Sequence, residues 1–153
     1  MSVATRPGGI LGMVLPTLPQ GGRGGWRIAE VAREAEEAGA SALWACDHLA
    51  WHTPVMECFT ALAMAATSTQ HCILGTSVLQ LPLRPAPLVA KSASSLQEAS
   101  GGRFVLGIGV GVHQGEFEAM EADFEMRGKR TDEALVLMRE LWRSGQVPPV
   151  ARY

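Results

Sequence analysis

Short apolar runs alternate with helix-length amphipathic stretches from one end of this chain to the other, and that rhythm restricts the fold more than any single residue does. Such a pattern reads as parallel strands joined by crossover helices. Ile10 to Leu15 is apolar apart from Gly12 and ends at Pro16, as a strand buried on both faces would. A loop rich in Gly and Pro follows, through Gly25. From Trp26 to Ala38 the residues Ile28, Val31, Ala32, Ala35 and Ala38 recur at helical spacing, with Gly39 placed to end the helix. Ser41 to Cys46 is a second apolar run, Met56 to Thr67 an alanine-rich helix, and Cys72 to Leu79 a third strand. Pro85 and Pro87 suit the first turn of a helix that runs to Ser100 and stops at Gly101-Gly102, because proline's missing N–H is not needed there. Phe104 to Ile108 is the fourth strand. Three spaced glycines, Gly107, Gly109 and Gly111, then lead into an acidic segment through Phe124. The last helix is predicted from Thr131, as N-cap with Asp132 and Glu133 in the first turn, and Pro148-Pro149 forbids its continuation.

The sum is four β-α units of about 30 to 40 residues each. Two α/β closures fit: a small open sheet with helices on both faces, or half of an eight-unit barrel, for which about 250 residues is typical. The 153 residues make one domain. A formal net charge of -2 leaves no basic footprint for a phosphate backbone or an anionic membrane, so neither nucleic acid nor a membrane is expected as a partner. The longest strictly apolar stretch, Ala61 to Ala66, is far below the roughly 20 residues of a membrane span, and the N-terminus lacks a basic-then-apolar leader. A cytoplasmic protein is expected. Cys46, Cys58 and Cys72 form no CxxC pair and suit reduced, packed thiols. A mean hydropathy of +0.11 is high for a small monomer and leaves apolar surface for a partner.

The second strand runs into Asp47, His48, Trp51 and His52, just beyond its C-terminal end, where α/β folds place ligands. A carboxylate can fix a neighbour's orientation and an imidazole can move a proton near neutral pH, which makes Asp47-His48 a catalytic candidate. The competing reading is that Asp47 caps a turn and His48 is a polar loop residue. Gly107 to Val112 lacks the last glycine of GxGxxG, so no dinucleotide fingerprint is present. Those glycines serve either close approach of a flat ligand or tight packing at a strand end. Cys46, His48, His52 and Cys58 match no common zinc spacing, and no metal is expected. His71 and His113 stand alone and read as structural or surface residues. The run Glu116, Glu118, Glu121, Asp123 and Glu125 reads as a solvated face. No GxSxG elbow is present.

Taken together, the stretches AREAEEAGASALWACDHL, ILGTSVLQLPLRPAPLVAK, SLQEASGGRFVLGIGVGVHQGEF and RGKRTDEALVLMRELW resemble the N-terminal half of the luciferase-like monooxygenase superfamily, above all its branch using coenzyme F420. The resemblance implies a (β/α)8 TIM barrel, of which residues 1–153 would be a single N-terminal half-barrel, with the C-terminal half absent. It places strand ends near Leu15, Asp47, Val78 and Gly109 at the face where barrel enzymes work. Asp47 and His48 would lie beside cofactor and substrate, with His48 accepting or donating a proton during hydride transfer. Trp51 or His52 would wall the substrate pocket. Ser77-Val78 would be a non-proline cis peptide behind the cofactor ring, a rare bond outside proline. Gly109, Val110 and Gly111 would run along the cofactor. Glu116, Arg127, Arg130 and Glu133 match charged family positions and read as structural ion pairs or helix supports. Sugar-phosphate dehydrogenases of this branch carry glutamate where this chain has Val112, which argues against glucose 6-phosphate as substrate.

The function so implied is a deazaflavin- or flavin-dependent oxidoreductase acting on a small molecule, with F420 favoured as cofactor and an FMN-dependent monooxygenase as the alternative. Half a barrel would need its other half, from a homodimer or a complementary chain. The competing expectations are a catalytically inactive, truncated half-barrel with an interaction role and a small open-sheet binding protein.

Overall fold

The computed structural model describes residues 11–18 and 27–145. Four strands, β1 (Gly12–Val14), β2 (Ala42–Ala45), β3 (Ile73–Thr76) and β5 (Phe104–Val105), form one parallel sheet in that order. A second parallel pair, β4 (Leu79–Gln80) with β6 (Ile108–Gly109), lies just downstream of β3 and β5. The helices α1 (Ile28–Glu37), α2 (Cys58–Ser68) and α3 (Ala86–Ala99) alternate with the strands, and α4 (Gln114–Ala119) and α5 (Arg127–Ser144) follow. Sequence order equals spatial order along the sheet, so each crossover returns the chain to the neighbouring strand, as barrel-type winding requires.

Period-two alternation sorts the strand residues between two faces. Leu43, Ala45 and Leu74 join Leu15 in a single core with Ile28 and Ala32 of α1, Leu62 and Ala65 of α2, Val89 of α3, and Met138 of α5. Each fully buried Leu among them contributes about 1.5–3 kcal/mol. The other face is barely covered: Val14 and Val105 are 55% and 45% exposed. Trp44 lies there across its two neighbouring strands. A Cβ on Gly12 would fall 2.7 Å from the indole Nε1, and one on Gly75 only 2.2 Å from the six-membered ring, so both glycines exist to make room for it.

Polar staples close the end of the sheet away from the strand tips. Glu36 accepts the backbone N–H groups of Gln70, His71 and Cys72 at 2.7–2.8 Å. Burial works to raise the pKa of this carboxyl, but the three amides prevail and hold it down to about 2. Arg103 donates to the carbonyls of Ala66, Thr69, Cys72 and Ser100, tying α2 and α3 to the start of β5.

Several expectations need adjusting. The third and fourth strands are each interrupted, at Ser77-Val78 and at Leu106-Gly107. Gly107 has its carbonyl bound by Thr76 Oγ1 at 2.7 Å and by Leu79 N at 2.8 Å, an arrangement that replaces regular pairing at the breaks. The last helix starts at Arg127, four residues before Thr131. Thr131 is not its N-cap: the hydroxyl bonds back to the Arg127 carbonyl, while Asp123 accepts from the N–H groups of Glu125 and Met126 ahead of the helix. Ile10, most of the Gly- and Pro-rich loop, Trp26 and Pro148-Pro149 lie outside the described residues. No described helix is long and apolar enough to cross a membrane.

Candidate active site

The chain leaves β2 at Ala45 and turns through a loop in which residues 48–55 line an open cleft of about 410 Å³. Two buried carboxylates hold this loop from behind. Asp47, its side chain 1% exposed, is gripped by Arg84 through two contacts of 2.6 Å, one to each oxygen. The Gln80 backbone N–H adds a third bond at 2.9 Å. Burial works to lower the Arg84 pKa, but the Asp47 carboxylate outweighs it and raises the value above that of a free guanidinium.

The second carboxylate is Glu116, fully buried at the start of α4. One oxygen accepts from Leu49 N at 2.7 Å and Ala50 N at 3.2 Å. The other faces His48 Nδ1 at 3.0 Å and accepts from Gln80 Nε2, also at 3.0 Å. Burial alone would raise the Glu116 pKa, yet the hydrogen bonds from Gln80, His48, Ala50 and Leu49 prevail and leave it lowered. Gln80 ties the two carboxylates together, its backbone N–H donating to Asp47 Oδ2 and its Nε2 to Glu116, and Nε2 also donates to the backbone carbonyl of Asp47 at 3.1 Å.

On the cleft side, His48 stacks on Trp51 with ring centroids 4.1 Å apart and planes 26° from parallel. Trp51 touches His52 at 4.8 Å and meets His113 edge-on at 5.1 Å. His48, Trp51 and His52 therefore come together as one wall of the cleft, beside Ala50, Thr53 and Pro54. Asp47 sits behind that wall with both oxygens engaged.

The remaining predicted positions lie at the tips of the broken strands. The Ser77–Val78 peptide is cis. Ser77 is exposed, and Val78 and Val110 are 46% and 42% exposed. The glycines beside them are occupied with packing: a Cβ on Gly109 would meet Val78 at 2.5 Å. Gly111, with φ of 78°, would place one 2.7 Å from Gln80 Oε1 and 2.9 Å from the Phe117 ring.

Sequence reasoning missed the part played by two members of this site. Glu116 is buried rather than part of a solvated acidic face and is paired with His48, in line with the structural pairing that the family resemblance implied; the apolar Phe117 beside it in GEF is a local hint of burial. Arg84 lies between Pro82 and Pro85, where an arginine after a buried strand asks for a partner. His113 is an exposed residue, as expected, and its ring meets the edge of the Trp51 ring. Of the other charged family positions, Arg127 sits over the Phe124 ring at 3.9 Å, and Glu133 pairs with Lys129 at 3.8 Å. Both are local supports, as expected.

The family model for luciferase-like monooxygenase matches residues 11–151. A 5,10-methylenetetrahydromethanopterin reductase of Methanolobus tindarius is 37% identical over 113 residues, 74% of this chain and 33% of that protein. An F420-dependent glucose-6-phosphate dehydrogenase of Amycolatopsis mediterranei is 34% identical over 128 residues, 78% of this chain and 38% of that protein. Among solved structures, the oxygenating constituent of 3,6-diketocamphane monooxygenase from Pseudomonas putida, in complex with FMN, superimposes with a TM-score of 0.78 over 88% of this chain and 39% of its own, at 18% identity. The chain thus spans well under half the length of these relatives, and its parallel β-α units correspond to part of their TIM-barrel fold. This chain belongs to the luciferase-like monooxygenase family, whose members include F420-dependent oxidoreductases and FMN-dependent monooxygenases.

Proposed function

We propose that this chain is the N-terminal, proton-transferring half of an F420-dependent oxidoreductase, with His48 as the group that accepts or donates the substrate's proton. The observation that carries the reading is the single wall formed by His48, Trp51 and His52 at the strand ends, where barrel enzymes place their chemistry. When bound, the deazaflavin would supply the hydride exchange; FMN is the alternative, in keeping with the FMN-bound relative. The half-exposed Val78 and Val110 offer a flat apolar shelf that suits such a ring, with Ser77 and Gly109–Gly111 alongside.

In the direction of alcohol oxidation, the carbon-bound hydrogen would leave as hydride and the hydroxyl proton would pass to His48, giving a carbonyl. Trp51 holds the imidazole by stacking and, with His52, shields the cleft on one side. Asp47 acts through the loop it anchors. Its ion pair with Arg84 fixes the turn that presents His48. The uncovered sheet face with Val14 and Val105, and the open edges of β1 and β5, call for a second half-barrel. A second copy of this chain or a complementary β/α chain would supply it.

Titration of the purified chain with F420 and, separately, with FMN tests the reading, with ligand fluorescence reporting binding and light scattering the assembly state. Saturable micromolar binding by an assembled species is expected. A monomer that binds neither would favour an inactive half-barrel. In a competent assembly, His48→Ala should abolish hydride transfer while cofactor affinity stays within a few fold. Equal loss of both would contradict the proton-transfer role.

A further inference from the structure

We infer that Glu116 is a positioning residue that fixes the ring tautomer of His48, holding the proton on Nδ1 so that Nε2 is left as the base. The inference rests on the proposed proton-transfer role of His48 and adds the device that would make the ring competent.

A neutral imidazole carries one proton, and the bond made by one nitrogen decides which nitrogen bears it. Glu116 Oε2 faces Nδ1 at 3.0 Å, and the same oxygen already accepts from Gln80 Nε2. The other oxygen is taken up by two backbone N–H groups, those of Leu49 and Ala50. Three donors besides the imidazole therefore converge on one carboxylate, and those bonds favour its ionised, acceptor-only form. An acceptor-only partner requires the proton to sit on Nδ1. Nε2 has no hydrogen-bond partner among the described residues, and the ring is 29% exposed beside the cleft. Stacking on Trp51 holds the plane of the ring, and the contact with Glu116 selects the flip that turns Nδ1 toward the carboxylate.

The isosteric exchange Glu116→Gln reverses the instruction. Leu49 N and Ala50 N both donate, so the new amide must turn its oxygen toward them and its NH2 toward His48. That NH2 donates to Nδ1, which must then be the unprotonated nitrogen, and the proton moves to Nε2. Gln80 cannot relieve the clash by flipping, because its own Nε2 is also bound to the Asp47 carbonyl.

The experiment is nitrogen-15 NMR of histidine-labelled protein at neutral pH. His48 is assigned among the four histidines by its loss in His48→Asn. The wild-type chain should show the Nδ1–H form of His48 exceeding the Nε2–H form by about tenfold or more, the advantage of one charge-assisted hydrogen bond. Glu116→Gln should invert that ratio. A wild-type ring with its proton on Nε2 overturns the inference, and it does so even if the variant fails to fold. A variant that folds with an unchanged ratio also overturns it. The readout needs no turnover, so the two readings fail separately. If the tautomers behave as stated but His48→Ala retains hydride transfer, the proposed function fails while the tautomer assignment stands. If both hold, Glu116→Gln in the active assembly should lower kcat at least tenfold with KM nearly unchanged, a split that general loosening of the site would not give.

Discussion

Replacing Arg84 with methionine removes the guanidinium that faces both oxygens of Asp47 and leaves most of the aliphatic volume in place. Asp47 would then keep a negative charge in a site where its side chain is 1% exposed, with the Gln80 N–H as its remaining direct donor. Breaking a buried ion pair from one side costs about 3–5 kcal/mol, because the surviving charge has lost its compensation. Domains of this size have a total stability of about 5–15 kcal/mol, so about a fifth of it or more would go. With a urea m-value of about 2 kcal/mol/M, the unfolding midpoint should fall by about 2 M. Far-UV circular dichroism across a urea series measures it on the whole chain. Asp47→Asn keeps an acceptor for Gln80 but strands the Arg84 charge, so it should also destabilise. The double variant should lose less than the sum of the two, with a coupling of about 2 kcal/mol or more. A loss under about 1 kcal/mol for Arg84→Met, or strict additivity in the double variant, would refute the assignment of this pair as the loop's anchor.

Other perturbations give equally distinct outcomes. Glu36 has a folded-state pKa of about 2 against an ordinary 4.5, so its staple stabilises fully above about pH 4.5 and is lost as pH falls toward 2. Discounted for solvent screening, it contributes about 1–2 kcal/mol; Glu36→Gln should therefore be less stable at neutral pH, with the difference shrinking in acid, and a pH-independent difference would contradict this. Gly111→Ala should cost about 3 kcal/mol in a thermal or urea melt, combining left-handed strain with overpacking against Gln80 and Phe117. Gly128→Ala, on the open face of α5 with nothing within 4 Å of the new Cβ, should instead stabilise by about 0.5–1 kcal/mol. Equal effects at the two glycines would show that packing at the strand tips is looser than described.

The alternation of strands and helices was legible because it follows from hydrophobic period, which is local, whereas the barrel-type order of the strands came only from the family resemblance. The prolines at the start of α3 and the polar residues after β2 acted where local rules put them. The breaks at Ser77-Val78 and Leu106-Gly107 were invisible to periodicity, since apolar side chains continue through them while the backbone departs. Thr131 misled for a related reason. A hydroxyl that caps a helix from outside can also bond back to the carbonyl four residues earlier, and only the three-dimensional position of Asp123 shows where α5 begins. Glu116 and Arg84 were hidden more deeply. Their partners lie 68 and 37 positions away in the chain, and an acidic run looks the same whether one member is buried or all are solvated. Residue type gave the chemistry, whereas burial of charge depended on tertiary pairing.

Trp44 and the two glycines beside it also bear on how this sheet can change over generations. The indole occupies space that three separate side chains would fill in an ordinary sheet, so no member of the trio can be exchanged by itself. Enlarging Gly75 drives a methyl group into the ring, and shrinking Trp44 bares the backbone of three strands. A lineage leaving this arrangement must cross a less stable intermediate or change two positions at once. Gly12, Trp44 and Gly75 are therefore expected to be inherited as a block, so that related chains carry either the whole trio or a different set of three.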